Sequence, residues 1–139
     1  MPRGYETFEH TADIGIRAWG DEFAEVFEEA AKALFSVIVD LKTVSPRQKL
    51  KFELTAESDE ELFFKWLKEL LFIFDTQHLF LSEFKVFDLN VGKLLAEAGG
   101  EPIDRRKHIL GKEVKAITRH QFKLIQDKAR YLAEVILDV

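Results

Sequence analysis

Between Ser58 and Thr76 the sequence is apolar at so many helical positions that no single contact could cover them. Leu62, Phe63, Trp66, Leu67, Leu70, Leu71 and Phe74 recur at helical spacing and form one face. Phe64, Phe72 and Ile73 fall off that face. A helix apolar around this much of its girth must be covered on more than one side. Ser58, with Glu61 three residues on, is a capping box that starts it. The longest uninterrupted apolar run, Leu70–Phe74, is far too short to span a bilayer, so the helix belongs to a core. Phe64, Phe72 and Ile73 are therefore assigned to a second core layer rather than to self-association.

The rest of the chain must supply that cover. An earlier helix opens after Gly20, with Asp21 as N-cap and Glu22 and Glu25 at the positive end of its dipole. Phe23, Val26, Phe27, Ala30, Leu34, Val37 and Ile38 give it one apolar face. Elsewhere the period is two, as the spacing of strands requires. Strands are expected over Tyr5–Thr11, Ile14–Trp19, Leu50–Ala56, Glu113–Thr118, Phe122–Ile125 and Tyr131–Leu137. Alternation from Leu79 to Val91 does not keep one phase, which predicts a bulge or slip. Two early helices with hairpin-linked strands after them predict an α+β fold. The sheet should be mixed or largely antiparallel, with the two main helices packed on one face, in one domain over residues 1–139.

The 139 residues include no cysteine, which excludes thiol catalysis, disulfide scaffolds and Cys-ligated metals. The N-terminus has no apolar signal segment, so a soluble, cytoplasmic protein is expected. One asparagine and one methionine among many Lys, Arg and Glu make the composition thermophile-like. A net charge of −5 disfavours a general nucleic-acid binder. The charge is uneven, however. Residues 99–130 hold nine Lys/Arg against four Asp/Glu, a basic segment set between acidic ones. It is either a solvated surface or a docking patch for something anionic.

No His-x-x-x-His pair, nucleophile elbow or phosphate loop is present. Two places concentrate ionisable groups. His10 and Asp13 sit at the junction of two apolar strands, where Asp is unusual unless it serves a turn or a site. At the other end, Asp138 stands beside the α-carboxylate of Val139 at the close of a strand-like segment. Should Asp13 fold beside them, three carboxylates share a corner, and like charges that close disfavour one another unless a cation offsets them. Oxygen ligands suit Ca²⁺ or Mg²⁺ rather than zinc. The alternative is a small metal-dependent phosphohydrolase using His10 and Asp13 as acid and base.

Those residues also carry a resemblance. His10-Thr11-Ala12-Asp13-Ile14-Gly15 resembles the N-terminal signature of the archease family. Glu113-Val114-Lys115-Ala116-Ile117-Thr118-Arg119-His120 is similar to a second family segment, and Leu137-Asp138-Val139 to its ending. Trp66–Phe72 and Gly100-Glu101-Pro102 with Asp104 also fit; Arg119 departs from a position that is commonly aromatic. The resemblance implies an accessory protein rather than an enzyme. Archeases assist the RtcB-type RNA-splicing ligase of tRNA splicing, promoting its guanylylation and multiple turnover and relaxing its NTP choice. RNA would be met only indirectly, and no membrane is involved. The family's metal positions carry over to Asp13, Asp138 and Val139, with Ca²⁺ or Mg²⁺ as cofactor. Lys115, His120 and His10 are candidates for contacting phosphate or the ligase.

Overall fold

The computed structural model describes residues 2–127 and 130–139; Lys128 and Ala129 of the basic segment lie outside the described residues. The elements run β1 (Gly4–His10), β2 (Asp13–Gly20), α1 (Phe23–Ile38), β3 (Gln48–Thr55), α2 (Asp59–Gln77), β4 (Leu79–Asn90), β5 (Lys93–Pro102), β6 (Ala116–Asp127) and β7 (Arg130–Asp138). The fold is α+β. Its strands divide into two sheets, ordered β1-β2-β7-β6 and β3-β5-β4, and every pairing is antiparallel.

Helix α1 touches β1, β2 and β7 of the first sheet and β4 of the second, while α2 touches β6 on one side and β3, β4 and β5 on the other. Each sheet thus uses one face to cover the helices. Burial follows from this arrangement. Val26, Phe27, Ala30, Ala31, Leu34 and Phe35 of α1 are sealed from solvent, as are Leu62, Phe63, Phe64, Trp66, Leu67 and Leu70 of α2. Each large side chain so buried contributes about 1.5–3 kcal/mol. Helix α1, expected to have one apolar face, is buried on more than one side. Phe64 and Ile73 join the core as expected, whereas Phe72 stays 57 % exposed. The indole Nε1–H of Trp66 donates to the Phe27 carbonyl at 2.9 Å, tying the two helices inside the core.

The local signals hold with one shift. Ser58 caps α2, its hydroxyl accepting from the Glu61 N–H at 3.2 Å. At α1 the cap is Glu22 rather than Asp21. The Glu25 carboxylate accepts from the N–H groups of both Asp21 and Glu22, which moves the helix start one residue on. The expected slip in β4 is present twice, at Leu81/Glu83 and Val86/Asp88. The two strands expected between residues 113 and 125 are one strand, β6, with a register shift between Thr118 and Lys123.

One buried polar knot fixes the loop after β5. The Glu101 carboxylate accepts from Lys107 Nζ at 2.7 Å, from the Ser45 N–H at 2.8 Å and from His108 Nε2 at 2.8 Å. His108 Nδ1 in turn accepts the Asp104 N–H at 2.9 Å, which places the ring proton on Nε2. The Lys107 ammonium foremost, then the Ser45 N–H and the His108 ring, hold the Glu101 carboxyl at about 2 against an ordinary 4.5. A carboxylate whose pKa is lowered by folding adds stability above its unfolded pKa and loses it as pH falls toward the folded one. Native protein is therefore expected to lose stability between pH 4.5 and about 2. Glu101→Ala strands the Ser45 N–H and the His108 ring, so it should cost about 2–4 kcal/mol near neutral pH. Its stability should be flatter through that acid window. Denaturant unfolding across pH checks both, and an equal acid slope in native and variant protein would contradict the assignment.

Candidate functional site

The outward face of the four-stranded sheet is built in rows that cross the strands. In an antiparallel pair, directly opposite residues share a face. The pairings Gly4–Trp19, Trp19–Leu132 and Leu132–Ile125 make an apolar row. The next row, Glu6–Arg17–Glu134–Lys123, alternates in charge across all four strands. Arg17 Nε donates to Glu134 at 2.8 Å, and its other nitrogens reach Glu6 and Glu134. Burial pushes the Glu134 carboxyl up, but the Arg17 bonds and charge, with help from Lys123, outweigh it and hold the group below its ordinary value. The third row is Phe8–Gly15–Ile136–Thr118. The Phe8 ring lies flat on Gly15, so that a Cβ there would come within 2.2 Å of it. Arg17 stacks over the same ring, 4.6 Å from its centroid.

The last row holds the predicted residues. His10 pairs with Asp13, and Asp138 pairs with Ala116. One step beyond the Ile14–Leu137 pair, the same register sets Asp13 opposite Asp138. The Lys115 N–H donates to the Asp138 carbonyl at 2.7 Å, which brings Lys115 to the same corner through its backbone. Val139 follows directly and is half-buried. The fold therefore unites residues 13, 115, 138 and 139 from three separate stretches of chain. Neither Asp13 nor Asp138 makes an ion pair among the described residues. Like charges opposite one another in a ladder are destabilising, so this corner carries uncompensated negative charge. Its donors are all oxygens, which fits a hard divalent cation. Among the described residues no three His, Asp or Glu side chains gather as a metal cluster.

His10 and His120 also meet. Their ring centroids are 5.5 Å apart, and His10 Nε2 bonds Gln121 Oε1 at 3.1 Å. The Nδ1 of His10 is buried without a partner among the described residues. The shift in β6 makes this meeting happen. Residues 119–122 stand against a single β7 residue, Val135, and Gln121 takes a left-handed φ of 51°. The bulge sends Phe122 inward onto Phe63 and Phe64 while His120 stays exposed. Thr118 braces it, donating to the Ile136 carbonyl at 2.8 Å. Arg119 ion-pairs with Glu61 at 3.0 Å and lays its guanidinium over Phe64 at 4.1 Å. Arg119 thus sets a planar cation on an aromatic ring. Thr118 belongs to the segment Glu113–His120 that carries the resemblance, whereas Gln121 has no signal in the sequence, because neither periodicity nor motif marks a bulge of this length.

The family model described as the Archease protein family (MTH1598/TM1083) matches residues 5–139. Among relatives, the protein archease of Pyrococcus furiosus is 40 % identical, covering 99 % of both chains. That of Methanopyrus kandleri is 36 % identical over 97 % of this chain and 99 % of its own. Among solved structures, protein 1598 of Methanobacterium thermoautotrophicum aligns with a TM-score of 0.83 and 38 % identity, covering 98 % of this chain and 99 % of its own. An archease of Thermotoga maritima, named a possible chaperone, has the same fold, with a TM-score of 0.67, 21 % identity and 96 % of each chain covered.

The Phe8–Gly15 contact offers a test of the face that carries the corner. Gly15→Ala should displace the Phe8 ring and cost about 1–3 kcal/mol. Adding Phe8→Ala should recover part of that loss, because the ring is what the new methyl group strikes. Denaturant unfolding of the two single variants and the double variant reads the coupling, and simple additivity would contradict the packing.

Proposed function

The chain belongs to the archease family, and from that membership together with the acidic corner we propose that it activates the RtcB-type RNA-splicing ligase. It does so as an accessory protein, promoting ligase guanylylation and multiple turnover and widening NTP choice, and it meets RNA only through the ligase. The observation that carries the proposal is the register that sets Asp13 opposite Asp138, with Lys115 bonded to the same strand end.

Guanylylation needs a nucleotide triphosphate and the ligase histidine held in line, and alignment alone removes much of such a barrier. Asp13, Asp138 and the main-chain oxygens of Val139 would hold Ca²⁺ or Mg²⁺. A cation there supplies positive charge toward a triphosphate. The chain's own residues do the positioning. The paired strands β2 and β7 fix the spacing of the two carboxylates, and their partnerless charge keeps the tip selective for cations. Lys115 and His120 are both exposed beside the tip, and in this reading they meet phosphate oxygens or the ligase surface.

Asp13→Ala should fold normally, since Asp13 contributes no core packing, yet lose nearly all stimulation of guanylylation at substoichiometric amounts. Asp138→Asn preserves shape and removes one charge, so its affinity for Ca²⁺ should fall at least about tenfold. Its stimulation should be partly restored by added metal. Calorimetric titration followed by transfer of labelled guanylate to the ligase reads both. Full stimulation by a folded Asp13→Ala protein would overturn the corner's role. Hydrolysis of a simple phosphoester by the purified protein and metal alone would favour the phosphohydrolase instead.

A further inference from the structure

Between β5 and β6 the chain forms a strap whose backbone is spoken for while the side chains of Ile109 and Leu110 stand exposed. Its main chain is pinned across the end of α1. The N–H groups of Gly111 and Lys112 donate to the Ile38 and Val37 carbonyls at 2.8 and 2.7 Å, and the Ile109 carbonyl accepts from Asp40. These bonds satisfy carbonyls that a helix end leaves open. Gly111 permits the approach, since a Cβ there would lie 2.2 Å from the Val37 oxygen. The Glu101–His108 knot holds the strap's start. Yet Ile109 is 60 % exposed and Leu110 47 % exposed, side by side on this rigid support.

Basic residues flank them on both sides in the chain, among the exposed acids Asp40, Asp104 and Glu113. Arg105, Arg106 and Lys112 are exposed and make no ion pair among the described residues. The exposed Asp104 accepts the Arg106 N–H at 2.9 Å through one carboxylate oxygen. An open groove of about 660 Å³ runs beside the start of the strap, walled by Arg47, Arg105, Arg106 and Lys107 together with the acids Glu101 and Asp104. An apolar centre with a charged rim is the anatomy of a protein interface. Surfaces that bind single-stranded nucleic acid offer exposed aromatic rings for base stacking, whereas residues 103–115 contain no Phe, Tyr or Trp and the His108 ring is buried.

We propose that the strap is a preformed docking knob for a protein surface with an apolar hollow rimmed by carboxylates, in which Ile109 and Leu110 anchor and Arg105 and Arg106 steer. Given the function proposed above, the ligase presents that surface, at a contact separate from the acidic corner. Rigid presentation lowers the ordering cost of binding, which is what an ordered, exposed aliphatic pair achieves here.

The test compares Ile109→Ser/Leu110→Ser and Arg105→Glu/Arg106→Glu with native protein. Both leave the backbone bonds in place, so both should melt with the native protein. Binding to the purified RtcB-type ligase, measured by interferometry at low and high salt, should weaken about tenfold or more in each. The arginine pair should act mainly on association and most at low salt. Asp13→Ala should bind the ligase nearly as native protein does while failing to stimulate it. Native affinity in both strap variants would overturn the docking proposal alone. A native protein that binds no ligase would overturn the proposed function and the docking with it. Reduced affinity for a single-stranded RNA oligonucleotide, with ligase affinity untouched, would make the strap an RNA contact and overturn the proposal.

Discussion

Two helices that are apolar on more than one side can be buried only if something covers them from two directions. The architecture follows from that constraint. A single sheet would leave Phe64, Ile73 and much of α1 in water, so the strands divide and enclose the helices from both sides. The price of the arrangement is a join between the sheets, and charged groups make it. Arg3, just ahead of β1, reaches Glu28 and Glu29 of α1, while the other oxygen of Glu28 accepts the Val86 N–H of β4 at 2.7 Å. A half-buried glutamate is tolerable here because its oxygens are filled on both sides.

Since the inward faces are committed to the helices, chemistry is left to the outward face of the four-stranded sheet. Its rows pass from apolar, through alternating charge and an aromatic contact on Gly15, to the uncompensated acids of Asp13 and Asp138. Each row is self-satisfied except the last. The β6 bulge adds the histidine pair beside it and changes which residues of β6 point outward, so one local irregularity both serves the core through Phe122 and populates the corner through His120. The knot at Glu101 does a comparable service elsewhere, converting a loop of thirteen residues between β5 and β6 into a fixed strap.

Local physics was legible in the residues. Helical spacing located α1 and α2, the Ser58 hydroxyl located a helix start, and broken alternation announced the β4 slips. Where a side chain had two local options the sequence was less decisive. Asp21 and Glu22 both suit a helix N-terminus, and it was the reach of Glu25 back to both amides that chose between them. Phe72 looked like core by composition alone. It is exposed because the cover over α2 ends before that side of the helix.

The sequence by itself determined the elements, the need for a two-sided cover, and, through its ordered motifs, the family. It also singled out Asp13 and Asp138 as conspicuous acids at strand ends. That they face one another was decided only by the tertiary structure. Their meeting depends on β7 inserting beside β2 in antiparallel register, a pairing across more than a hundred residues that no local periodicity encodes. The same holds for Glu101 with His108 and Ser45, and for His10 with His120. Helix and strand preferences act over a few residues, whereas these contacts are set by which strand edges remain free once the helices are buried.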